Sequence, residues 1–234
     1  MRIEFDKLIV ERIILELRFS HGFLYWDNCG KIWKNICEKW DDFKMIEASP
    51  DKAIFNIQGQ GLQLKFSQKD IHLSQEYPPS SLKLFKEVAK EAIPLICNFL
   101  EIKSFSRIGN RIFYLYTTAN LKEAEDIIKS IGLLSISEDK IKSFGDNLSE
   151  PQIRFKIQNE DVGYAFNISA ISRTLSVELP KPLKVDSSKF IKDAVLIDID
   201  YFARKSVDLS ITDFTDLINT VQKNLKHNLV KILS

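Results

Sequence analysis

Hydrophobic residues along this chain change period repeatedly, from two to between three and four and back again. Residues 8–19 alternate, with Ile13, Leu15, Leu17 and Phe19 on one parity and Arg12, Glu16 and Arg18 on the other. That period of two predicts a strand with one buried face. His21-Gly22 ends it. Over 28–41 the apolar residues Cys29, Ile32, Trp33, Ile36, Cys37 and Trp40 recur at three- and four-residue steps, which predicts a helix with one apolar face. Four short strands follow over 44–48, 53–58, 62–67 and 71–75, separated by Ser49-Pro50-Asp51, Gly59-Gln60-Gly61 and Gln68-Lys69-Asp70. After Pro78-Pro79, Ser80 or Ser81 is the expected cap of a helix running to about Leu100. Its stripe is Phe85, Val88, Ala89, Ala92, Ile93, Ile96, Phe99 and Leu100, and Pro94 inside it is expected to kink it.

The same order then begins again. Residues 102–117 carry apolar and aromatic side chains on both parities, as a central strand does, with Gly109 as an expected bulge. Asn120 and Glu123 form a capping box for a helix that stops at Gly132. A polar loop over 135–149 leads to strands expected at 152–158, 162–171, 174–179 and 194–204, and to a helix from Ser210 or Thr212 to about Leu225. The expected architecture is α+β: two tandem β-α-β4-α units, residues 1–101 and 102–234. Together they form one pseudo-symmetric, curved antiparallel sheet with helices on one face.

This element order resembles that of the TATA-binding-protein-like fold, which repeats strand, helix, four strands and helix to make a saddle-shaped sheet. The resemblance covers almost the whole chain and implies a shape, not an activity. Three stretches, LIVERIILELRF, SRIGNRIFY and VLIDIDYF, resemble a family of sporadically distributed, uncharacterised prokaryotic proteins. The matching positions are Glu11, Glu16 and Arg18, then Arg107, Gly109 and Arg111, then Asp198 and Asp200. The family implies no mechanism.

Charge narrows the function classes. The chain carries 33 basic and 32 acidic residues, with 14 against 15 up to Glu101 and 19 against 17 beyond it. Neither half is a polycation, so only a local basic patch can support nucleic-acid binding. Charges interrupt every apolar stretch of the N-terminus, which is therefore expected to be neither a signal peptide nor a membrane span. Cys29, Cys37 and Cys97 lack metal-ligand spacing and are expected to be buried thiols of a reduced, cytoplasmic protein. Trp26, Trp33 and Trp40 recur at sevens, which suits core packing or, alternatively, a homodimer seam.

The chemistry-bearing residues gather on one expected sheet face. Arg154 and Lys156 alternate with Ile153, Phe155 and Ile157; Gln63 and Lys65 oppose Leu62, Leu64 and Phe66; Thr174, Ser176 and Glu178 oppose Leu175, Val177 and Leu179. Such a face is either simply solvated or a polar platform for a partner. Lys103, Arg107, Arg111, Arg154 and Lys156 are candidates for phosphate contact, with Phe105 and Phe113 as stacking candidates. A face so polar does not suit insertion of apolar wedges into a minor groove. Asp198 and Asp200, two apart on a strand, can hold Mg²⁺ or Mn²⁺, or can pair with Arg12, Arg18, Arg107 or Arg111 on neighbouring strands. No catalytic constellation, metal cluster or Gly-rich phosphate loop is legible, and no cofactor is expected. The sequence favours a non-catalytic macromolecule-binding or regulatory protein whose partner is another protein. A nucleic-acid-binding protein is the alternative, and a metal-dependent hydrolase or nuclease at Asp198 and Asp200 a second one.

Overall fold

The structure, a computed structural model, describes residues 3–57, 59–134, 136–143, 145, 148–175 and 190–233. In chain order the first half contains β1 (Ile9–Arg18), α1 (Tyr25–Lys39), β2 (Phe43–Ala48), β3 (Lys52–Ile57), β4 (Leu62–Ser67), β5 (Asp70–Glu76) and α2 (Lys83–Phe99). The second contains β6 (Ser104–Phe105), β7 (Arg107–Thr118), α3 (Leu121–Ser130), α4 (Glu138–Lys142) and β8 (Gln152–Gln158). It continues with β9 (Val162–Leu175), β10 (Phe190–Ala203), β11 (Val207–Asp208) and α5 (Phe214–Leu233). Among the described residues nine strands form one antiparallel sheet in the order β2-β3-β4-β5-β1-β7-β10-β9-β8, while β6 and β11 pair separately.

Strand alternation decides which face is covered. Ile13, Leu15 and Leu17 of β1, Ile108 and Ile112 of β7, and Ile197 and Ile199 of β10 are brought to one face by the register and are buried, so the helices pack there. The apolar stripe of α2, from Phe85 to Cys97, lies against β5, α1 and α5, and α3 covers β7, β9 and β10. Burial pushes the Cys97 thiol up to about 12. The protein is α+β, with its helices on one face of a large antiparallel sheet. No described helix is long and apolar enough to cross a membrane.

Several local expectations give way to the packing. The strand expected at 102–117 breaks at Ser106, whose N–H and hydroxyl both donate to the Arg18 carbonyl at 2.8 and 3.2 Å. Lys103 and Phe105 therefore leave the large sheet. Register runs regularly through Gly109; the irregularity is in β1, between Val10 and Arg12. In the second half β9 runs on through Thr174 and Leu175, so no break separates the segments expected at 162–171 and 174–179. Residues 176–179 and the expected connection 180–188 lie outside the described residues. Among the described residues no side chain caps α2: Leu82 precedes it in the left-handed region, φ 49°. Asn120 caps α3 as expected, accepting from the Glu123 N–H at 2.9 Å. Asp213 caps α5, and the apolar stripe of that helix continues to Leu229 and Leu233. Trp26 and Trp33 of α1 are 60% and 43% exposed and lie outside the core, whereas Trp40, just past the end of that helix, is half-buried against the core beside Phe43. The inward positions of α1 belong to Tyr25, Ile32 and Ile36.

Candidate binding face

The face without helices is organised in rows that cross the sheet through paired residues. One row reads His72, Glu16, Gly109, Phe202 and Gly163 from β5 to β9. The next reads Ser74, Ile14, Arg111, Asp200, Ala165 and Lys156, ending on β8. A third reads Glu76, Arg12, Phe113, Asp198, Asn167 and Arg154. Parity along each strand and antiparallel register between strands are enough to bring these residues to one surface.

Gly109 makes the centre of this surface possible. The Arg107 guanidinium lies across it: a Cβ placed on Gly109 would stand 3.4 Å from both Nε and Nη2 of Arg107. From that position Arg107 bridges the two halves of the sheet. Its Nε donates to Glu16 Oε2 at 3.1 Å, and its Nη2 donates to Asp200 Oδ2 at 2.7 Å. Glu16 also accepts from Arg18 Nε and Nη2, at 2.9 and 2.7 Å, and lies 3.2 Å from His72 Nε2. Hydrogen bonding from His72, then from Arg18, outweighs the effect of burial and lowers the Glu16 pKa to about 2. Asp200 moves the other way. Burial raises its pKa despite Arg107 and Arg111 beside it.

Arg111 holds Asp198 in a two-pronged pair, which raises the pKa of the guanidinium. Its Cζ lies 4.8 Å from the centre of the Phe113 ring, and Arg12 Cζ lies 5.7 Å from it. Arg107 Cζ is 5.1 Å from the centre of the Phe202 ring. Of the stacking candidates, Phe113 is thus approached by two cations, and Phe105 is buried against Phe214 of α5. Arg12 pairs with Glu76 at 2.5 Å, and Arg173 pairs with the buried Glu11.

The acids and bases at the centre of this face balance, whereas cations at its margins do not. Arg111 neutralises Asp198, and Arg18 with Arg107 neutralises Glu16 with Asp200. Arg154 and Lys156 are exposed and make no ion pair or side-chain hydrogen bond among the described residues. Both border a concavity of about 340 Å³ whose other walls include Arg111, Asn167, Asp198 and Asp200. Gln152 Nε2 donates to Asn167 Oδ1 at 2.7 Å, which leaves the Asn167 amide N–H groups as donors.

Of the sequence candidates, Glu16, Arg18, Arg107, Arg111, Asp198 and Asp200 form one continuous cluster, Arg12 stands at its edge, and Arg154 and Lys156 border the concavity. Lys103 is apart, its carbonyl accepting from Leu209 N–H beside the β6–β11 pair. Sequence reasoning missed Asn167, Ala165, Phe202 and Arg173, although the period of two along β9 and β10 places each on the polar parity. The chain matches no protein-family model and no curated protein.

Both aspartates of the D-x-D pair are held by arginines. Both oxygens of Asp198 are taken by Arg111, so a cation binding between the two would have to displace charge-assisted hydrogen bonds there. No group of three or more His, Cys, Asp or Glu able to hold a metal occurs among the described residues. The free hydrogen-bonding capacity of the concavity consists mainly of donors. Its chemistry suits an anion.

Proposed function

We propose that the protein is a non-catalytic binding protein that presents the helix-free face of its sheet to a macromolecular partner bearing anionic groups. The observation that carries this reading is the charge asymmetry of that face. At its centre the carboxylates are consumed in pairs with Arg12, Arg18, Arg107, Arg111 and Arg173, whereas Arg154 and Lys156 at the β8 edge are uncompensated among the described residues. The paired network holds the centre of the face in one arrangement, and the free cations offer a partner charge-assisted bonds without first breaking internal ones.

Anisotropy titrations test this with three labelled probes: an acidic peptide, a single-stranded RNA and a duplex DNA. Saturable binding to at least one of them at low salt is expected. It should be lost in the Arg154→Glu/Lys156→Glu double variant, and the slope of log K on log salt for a nucleic acid should fall by about 2. Failure to bind any of the three at low salt overturns the reading.

A further inference from the structure

We propose that the concavity between β7, β8, β9 and β10 is a binding site for a phosphate monoester on a small hydroxylated body. Its phosphate would lie between Arg154 and Lys156. This deepens the reading above and rests on the same uncompensated end of the face, but it names a ligand chemistry that the reading does not require.

Charge points to a monoester. Around the concavity, once each pair among the described residues is set aside, two positive charges remain, on Arg154 and Lys156. A phosphate monoester carries about −1.5 to −2 near neutral pH, which matches them. A carboxylate, or a phosphodiester within a nucleic-acid chain, carries one charge and leaves one cation unmatched.

Donor geometry points the same way. Arg154 and Lys156 are two apart on β8, so alternation turns both to the same face, and both line the concavity. Arg111 spends Nε and Nη2 on Asp198 and retains Nη1. Asn167 is turned by Gln152 so that its amide N–H groups are unspent. Ala165 stands directly between Lys156 and Asp200 in its row, and its small side chain leaves the floor open. These donors suit the several oxygens of a phosphoryl group.

The opposite wall takes the body of the ligand. Asp200 spends Oδ2 on Arg107, which leaves Oδ1 to accept from a hydroxyl. A volume of about 340 Å³ lies at the small end of ligand pockets and accommodates a phosphate with a sugar-sized body, not a drug-sized molecule.

Isothermal titration of the full chain with ribose 5-phosphate, ribose, inorganic phosphate and a single-stranded RNA lacking terminal phosphates tests the proposal. Ribose 5-phosphate is expected to bind with Kd of about 1 mM or tighter and inorganic phosphate more weakly, with ribose alone not binding. Arg154→Gln/Lys156→Gln should weaken ribose 5-phosphate at least about tenfold while leaving the unfolding midpoint unchanged, because neither side chain has a partner among the described residues. Asp200→Asn should weaken ribose 5-phosphate but not inorganic phosphate. The monoester site is overturned by absence of ribose 5-phosphate binding, or by binding that survives the double glutamine variant. RNA binding without ribose 5-phosphate binding overturns it too, while leaving the macromolecular reading standing. Ribose 5-phosphate binding in a protein that binds no macromolecular probe upholds the site and removes that reading.

Discussion

Arg111 grips Asp198 through both arms of its guanidinium, with 2.7 Å from Nε to Oδ1 and 2.5 Å from Nη2 to Oδ2. The two partners differ in their surroundings. The Asp198 side chain is 9% exposed and that of Arg111 is 47% exposed. Removing the arginine therefore strands a carboxylate that water reaches poorly, whereas removing the aspartate leaves a guanidinium that can hydrate. Arg111→Ala is expected to cost about 2–4 kcal/mol and Asp198→Ala about 1–2 kcal/mol. Urea unfolding of both variants measures the order. Equal losses, or a larger loss for Asp198→Ala, would contradict it.

Glu16 gives the cluster a pH signature. Its pKa falls from 4.5 to about 2 on folding, so between those values the unfolded chain binds more protons than the folded one. The stabilisation it contributes is complete above about pH 4.5 and is lost as pH falls toward 2. Solvent screening of a partly open cluster reduces the full linkage value to about 1–2 kcal/mol. The stability gap between wild type and Glu16→Gln should be constant from pH 7 to about pH 5 and should narrow on further acidification. A gap as wide at pH 3 as at pH 7 would mean that Glu16 acts by shape and not by charge.

How much of this was legible in the sequence depended on whether the signal was local. Alternation in β1 and β7 sorts Arg12, Glu16, Arg18, Arg107 and Arg111 to one face, and D-x-D spacing puts Asp198 and Asp200 together, so the cluster could be expected from parity alone. Its wiring could not. Glu16 meets His72 because β1 pairs with β5 in one register, and Arg107 spans two strands because Gly109 has no side chain there. Neither fact is local to any stretch of sequence. Phe105 departs from its parity for a similar reason: alternation carries it onto the polar face, but the strand breaks at Ser106, which donates to the Arg18 carbonyl, and the ring packs in the core against Phe214. The tryptophans of α1 illustrate a different failure. A spacing of seven keeps residues on one helix face without saying which face, and Tyr25, Ile32 and Ile36, also near that spacing, took the interior.

Gly163 and Phe202 face each other across β9 and β10, and the ring occupies the space a side chain on Gly163 would need. A Cβ there would come within 2.4 Å of Cζ and 2.7 Å of Cε2 of the ring. Gly163→Ala is expected to cost about 1–3 kcal/mol by forcing the ring aside. Since the ring also lies beside the Arg107 guanidinium, the change should loosen that arginine. In a Phe202→Leu background, the same glycine substitution should cost markedly less. A double-mutant cycle with no coupling between the two sites would show that the strain is relieved elsewhere.

Asn110 presents the opposite case, a polar side chain placed where the sheet buries everything else. It lies on the helix-covered face of β7 between Leu15 of β1 and Tyr201 of β10, fully inaccessible, and neither its Oδ1 nor its Nδ2 has a hydrogen-bond partner among the described residues. Burying an amide in that state carries a desolvation cost of about 1–3 kcal/mol that a leucine of similar length avoids. Asn110→Leu is therefore expected to raise the unfolding free energy by about 1–2 kcal/mol, after the strain of fitting a branched side chain is subtracted. Asn110→Asp, which adds a charge to the same site, should lower it by more than that. The two variants move a buried polar contact in opposite directions at one position, so their difference reports the polar term with the backbone held constant. Destabilisation by leucine would instead assign Asn110 a hydrogen-bonding role within the core.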